Sequence, residues 1–226
     1  MSKAAQRMAI WAGPIGLILF GSSYGPFAAN FLPPPSPGWT VEQVAEHYRH
    51  YANGVRLGAI FMLLGAAALC VFAGAIAAET KRIKGTTAQA YGQIGTAALT
   101  SATLIIGAIL WAVAALRPDR SAEDIALLHD IAWLFMVMPA GPGFFQLLSI
   151  GTAILVDDSP DPALPRWLAY LNFWTALLFL PGFLVAYFLS GPFAWNGLLA
   201  FWMVAVVFTL WIVVMTVSLL KAVKRW

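Results

Sequence analysis

The chain has 226 residues, of which 61% are hydrophobic and 10% are Asp, Glu, Lys or Arg, whereas about 25% of an average soluble domain is charged. So few polar side chains cannot cover a soluble enzyme of this size, and lipid asks for the reverse, so the composition fits an all-α integral membrane protein. The net charge of +3 is accounted for by membrane topology rather than by a nucleic-acid partner, and the lone Cys70 excludes a disulfide scaffold.

A helix needs about 20 apolar residues to cross about 30 Å of hydrocarbon. Six stretches meet that length, uncharged but for Arg56 in the first turn of the second, where a long side chain can reach back to the headgroups: 8–32, 55–78, 91–116, 131–156, 167–190 and 196–220. The expected fold is one polytopic domain over 1–226, a bundle of six transmembrane helices with an amphipathic helix on the outer face. The first stretch follows Lys3 and Arg7 and is expected to be kept as a helix rather than removed as a signal peptide.

In the first connection, Pro33-Pro34-Pro35-Ser36-Pro37-Gly38 cannot be helical. Thr40 with Gln43 then forms a capping-box pattern that opens a helix over about 40–52, with Asn53-Gly54 as its stop. Glu46, His47 and His50 share that helix. The second span carries small residues at Gly65-Ala66-Ala67-Ala68 and Ala73-Gly74-Ala75, and the third at Gly92, Thr96, Thr100, Thr103 and Gly107, so these two spans are expected to pack at the centre.

The second connection repeats features of the first. Thr40 to Ala45 matches Ser121 to Ala126 at an offset of 81, and Pro37 meets Pro118 at the same offset. Ser121 should cap a short polar helix leading past His129 and Asp130 into the fourth span. Gly25-Pro26-Phe27-Ala28-Ala29-Asn30 and Gly191-Pro192-Phe193-Ala194-Trp195-Asn196 differ at one position. That echo reads either as a parallel repeat or as two good helix-end turns.

Met138-Pro139-Ala140-Gly141-Pro142-Gly143 interrupts the fourth span, and Pro181-Gly182 interrupts the fifth. Such breaks free carbonyls that only protein or a water-lined cavity can satisfy, so the space between these spans is the first candidate pocket. Gln146, Gly143, Pro142, Asn172 and Pro181 are its candidate ligand-binding residues; packed kinks without a ligand are the plainer alternative. No Asp, Glu, Lys, Arg or His falls in the middle of any span, which disfavours ion-coupled carriers, pumps and voltage sensors. The acidic Asp157-to-Pro162 stretch reads as a solvated turn.

Lys3, Arg7, Lys81, Arg82, Lys84, Arg166, Lys221, Lys224 and Arg225 would lie inside, against Arg49, Arg56, Arg117 and Arg120 outside, if both termini are cytoplasmic. Nine against four favours that orientation. Trp11, Trp39, Trp133, Trp167, Trp195 and Trp226 fall near span ends as interfacial anchors should.

The three histidines fall on the outer side. Glu46, His47 and His50, completed by His129 and Asp130, are the one set of residues able to hold zinc or another divalent metal, or to do acid-base work near neutral pH. The spacing lacks the His-Glu-x-x-His pattern, and no P-loop, dinucleotide fingerprint, nucleophile elbow or haem pair occurs.

Phe31-to-Pro37, Arg117-to-Arg120, Pro165-Arg166-Trp167 and Gly191-to-Trp202 resemble segments of an uncharacterised family of small bacterial six-span integral membrane proteins. The resemblance implies a bacterial cytoplasmic (inner) membrane and six spans, and carries no activity or functional residues. The expected role is binding or passage of a small apolar molecule or lipid between the fourth and fifth spans, with membrane lipids as partners and as an accessory subunit or homo-oligomer. The alternatives are an outer-face metalloprotein or enzyme and a structural partner of another membrane protein.

Overall fold

A computed structural model describes residues 2–117 and 119–225. Met1, Pro118 and Trp226 lie outside the described residues, and with them the Pro37–Pro118 correspondence and the Trp226 anchor. Among the described residues the chain forms no strand and eight α-helices: α1 (Lys3–Ser23), α2 (Val41–His50), α3 (Ala52–Thr80), α4 (Thr87–Leu116), α5 (Ala122–Val137), α6 (Ala140–Leu155), α7 (Trp167–Phe179) and α8 (Met203–Lys224). A 3-10 helix, Leu180–Tyr187, continues α7, and a π turn, Leu198–Trp202, precedes α8.

Five helical stretches are long and apolar enough to cross a membrane: Ala52–Thr80, Thr87–Leu116, Ala122–Leu155, Trp167–Tyr187 and Leu198–Lys224. This is an all-helical, multi-pass architecture. The first expected span is not among the five. Its helix stops at Ser23, and its 21 residues take in Lys3, Gln6 and Arg7, so the run of apolar residues is shorter than the sequence pattern suggests. Large apolar side chains such as Leu64, Val71, Leu99, Trp174 and Leu210 are exposed along the five stretches, an arrangement that suits hydrocarbon rather than water.

Helix α1 runs antiparallel to α3. At one end Gln6 Nε2 donates to Ala75 O at 2.9 Å; at the other, Ser23 lies beside Gly58. The contact is built on missing side chains. A Cβ on Gly65 would sit 2.8 Å from the Phe20 backbone nitrogen and 3.0 Å from Gly16 O, and one on Gly58 would sit 2.6 Å from Ser23 O. A Cβ on Gly54 would run into the Ala28 carbonyl. The latter corrects the expected helix stop at Asn53-Gly54: α2 ends at His50, the chain turns at Tyr51, and Gly54 lies inside α3 as a close-approach residue.

Helix α3 also packs on α4, where Ser101 Oγ donates to Ala66 O at 3.0 Å. Ala66 belongs to the small-residue run expected there; on α4, by contrast, Gly92 meets only Ser149 Oγ, at 3.6 Å, and Gly107 lies against Met136 and Ala132 of α5, while Ala97, Ser101, Leu104 and Ala108 are buried. Thr40 caps α2 with the full capping box, and Ser121 Oγ accepts from the Asp124 N–H at 3.1 Å.

The interior divides in two. One apolar cluster joins Ile10, Ile76, Ile154, Leu168, Leu219 and Val223, which brings the start of α1 and the end of α8 to the same end of the bundle. Beside it lies a buried polar group absent from the sequence expectations. Gln93 Nε2 donates to Thr80 Oγ1, and the fully enclosed Glu79 carboxylate stands 3.8 Å from Arg82 Nη1. The other cluster, at the α2 end, is aromatic.

Candidate functional site

Three departures from α-helical geometry meet on one level. Helix α5 ends at Val137 because Pro139 has no N–H to offer the carbonyl four residues back; the Ala140 N–H turns to Met138 O at 2.7 Å and α6 begins. Opposite, α7 gives way at Leu180 to the 3-10 helix, with Pro181 in its first turn. Its Gly182 lies against the end of α5, where a Cβ would be 2.9 Å from Val137 O. The π turn that starts α8 supplies Ala200 and Phe201. Segments of this kind recur where helices make room for a ligand.

Between them is a cavity of about 140 Å³, walled mainly by Tyr24, Met136, Pro139, Phe179, Phe201 and Phe208. An enclosed cavity of roughly 150 Å³ lined by aliphatic and aromatic groups stays dry and admits benzene, and this half-open one has a similar volume. Thr100 and Thr103 complete the α4 wall, and their hydroxyls donate to Thr96 O at 3.1 Å and Thr100 O at 2.7 Å. No charged side chain lines the cavity.

The expected binding residues stand around this space rather than in its wall. Gln146 lines a smaller adjoining cavity of about 60 Å³ that shares Thr100, Leu104 and Phe208 with the first. Pro142 lines a shallow depression that shares Thr103 and Pro139. Gly143 is buried, and a Cβ there would press the Phe179 ring at 3.3 Å. Pro181 bends the chain ahead of Gly182. Asn172 is a fastener between helices: its amide donates to Leu168 O at 2.7 Å and its oxygen accepts from Trp211 Nε1 at 2.9 Å.

The aromatic cluster abuts the cavity through Tyr24 and Phe201. Trp133 stacks on Trp195 at 6.2 Å and 15°, and packs against Tyr24, Phe31, Trp111, His129 and Phe201. Trp133 and Trp195 are therefore not interfacial anchors; they are buried, because α5 and the turn after Gly191 bring the two indoles face to face within the ring cluster. Trp11 and Trp167, by contrast, are more than half exposed. Trp195 Nε1 donates to Pro35 O at 2.9 Å, tying the proline-rich segment down.

Among the described residues no three His, Cys, Asp or Glu side chains converge on one point, so Glu46, His47, His50, His129 and Asp130 do not form the expected ligand set. His47 stacks on Phe31 at 4.6 Å and its Nε2–H donates to Ala29 O at 2.9 Å. His129 is buried, with Nδ1 3.1 Å from the Tyr48 hydroxyl. Glu46 and His50 instead face an open groove with Glu42 and Arg49, and Asp130 is exposed. The i, i+3 spacing holds, but the two faces of α2 split it.

Burial holds His47 below its ordinary value of 6.5, aided by the charge of His50 and opposed by the Ala29 hydrogen bond. Burial, with the Asp130 charge, raises Tyr48 well above 10. Because folding depresses the His47 pKa, the unfolded chain binds the extra proton, and the stability this group contributes is full above about 6.5 and lost as pH falls below it. The thermal midpoint in detergent is expected to drop between pH 7 and pH 5.5, and to drop less in His47→Gln. An equal drop in both proteins counts against this assignment.

Compared with protein-family models, curated proteins and solved structures, the chain matches none.

Proposed function

We propose that the protein binds a small apolar molecule within its membrane-spanning helices, in the cavity at the α5–α6 break. The observation that carries this reading is the cavity itself: ring-sized, walled by Phe179, Phe201 and Phe208, and framed by three irregular segments. An uncharged wall accepts apolar cargo without the desolvation cost an ion would meet. Loosely wound segments at the same level are where the wall can adjust to a guest.

The setting we infer is a bacterial cytoplasmic membrane crossed six times, with lipids as the surrounding partners. The α1–α3 pairing supports a sixth crossing, because Gln6 to Ser23 covers about 25 Å at 1.5 Å per residue, close to the hydrocarbon thickness. Orientation follows from charge. Lys81 and Arg82 end α3 beside the start of α1, and Lys221 and Lys224 end α8 near Arg225, which pairs with Asp161 at 3.1 Å. Gathering basic residues at one end supports cytoplasmic termini, with α2 on the outer side.

The test uses 1-ethyl-4-fluorobenzene followed by fluorine NMR in detergent, with protein-free micelles as background. Saturable binding is expected in the native protein, weakened at least about tenfold by Ala205→Phe, which fills the α8 wall with a ring. Binding that is absent, or indifferent to Ala205→Phe, removes the reading.

A further inference from the structure

We infer that the cavity selects a neutral ring-sized molecule bearing a carbonyl oxygen, which accepts a hydrogen bond from the Tyr24 hydroxyl. This rests on the cavity being a binding site, as proposed above, and adds what it recognises.

Tyr24 is 5% exposed and lines the cavity together with Met136. Its hydroxyl has one hydrogen-bond partner among the described residues, Met136 Sδ at 3.8 Å. A thioether is a weak acceptor, whereas a buried phenol normally finds an oxygen or nitrogen. The ring that carries it is held in place. Trp111 at 5.4 Å and 90°, Phe20 at 5.6 Å and 71°, and Phe201 at 5.9 Å and 78° hold the ring edge-on from three directions. Backbone bonds fix the residue as well, since Phe31 N–H donates to Tyr24 O at 2.9 Å.

The other hydroxyls of the wall, Thr100 and Thr103, already donate to their own helix. Tyr24 thus brings to an apolar, aromatic wall the one hydroxyl that no backbone carbonyl engages. A carboxylate would find no cation there and would have to shed its hydration unaided. A plain hydrocarbon would leave the hydroxyl with sulfur alone. A flat ring ketone or aldehyde answers both demands, with Phe201 and Phe208 beside it in the wall.

The experiment compares 4-fluoroacetophenone with 1-ethyl-4-fluorobenzene, near-isosteres that differ in the acceptor, by fluorine NMR on the native full-length protein, Tyr24→Phe and Met136→Leu. The ketone is expected to bind about fivefold tighter than the hydrocarbon to the native protein. Tyr24→Phe should erase that preference, so that the two probes bind this variant equally. Met136→Leu should enlarge it, since the hydroxyl then has no internal acceptor, and this variant decides the matter if Tyr24→Phe does not fold. Equal binding of both probes to the native protein, a preference retained in Tyr24→Phe, or one not enlarged in Met136→Leu overturns the inference while leaving the cavity reading in place. Binding of neither probe removes the cavity reading itself.

Discussion

Gly65→Val is expected to destabilise the bundle by about 3 kcal/mol, the upper end of what an overpacked core costs. The new side chain meets backbone, not a movable side chain: Phe20 N at 2.8 Å and Gly16 O at 3.0 Å. Relief requires α1 to lift from α3. That movement would also carry Phe20, which lines the cavity, so the variant should lose probe binding before it unfolds. The thermal midpoint in detergent, read beside Gly74→Ala, checks this. A Cβ on Gly74 meets nothing within 4 Å, so Gly74→Ala should hold or raise the midpoint through helix propensity alone. Equal midpoints for the two variants would show that α1 does not depend on this close approach.

Trp133→Ala should cost about 3–5 kcal/mol, as truncation of a large core aromatic does. Six aromatic or imidazole rings surround this indole, and no neighbour can collapse into the space without breaking its own edge contacts. Trp133→Phe should cost much less, because the indole nitrogen it removes has no hydrogen-bond partner among the described residues. Trp167→Ala, at a position 52% exposed, should move the midpoint little. A midpoint for Trp133→Ala close to that of Trp167→Ala would contradict the central place of this ring.

What the sequence disclosed depended on the range of the signal. Capping at Thr40 and Ser121 is local, a hydroxyl facing an N–H three residues on, and both caps form as read. The break at Pro139 is equally local, since proline removes a donor whatever surrounds it. The first span is shorter than its apolar run, because apolar content continues past Ser23 while the helix does not: Gly25-Pro26 ends it, and Asn30 takes a positive φ of 52°. Trp133 and Trp195 carry the composition of interfacial anchors, and only the tertiary fold distinguishes an indole in headgroups from one inside a ring cluster. Likewise, Glu46, His47 and His50 are neighbours on any helix, yet α2 buries Tyr48 and turns Glu46 and His50 outward. The cavity wall was the least legible part. Tyr24, Met136, Phe179 and the Phe201–Phe208 pair come from four separate stretches of chain, and nothing in the spacing between those stretches announces that they meet.

The 3-10 winding of Leu180–Tyr187 gives that stretch a triangular cross-section, because three residues complete each turn. One corner of the triangle faces inward, and it carries only Gly182 and Val185, the two buried residues of the segment. The other corners, Leu180 with Phe183 and Leu184 with Tyr187, point away and are exposed. A rounder α-turn would sweep Ala186 toward the interior as well. The narrow corner is why Gly182 alone of this segment reaches the cavity wall.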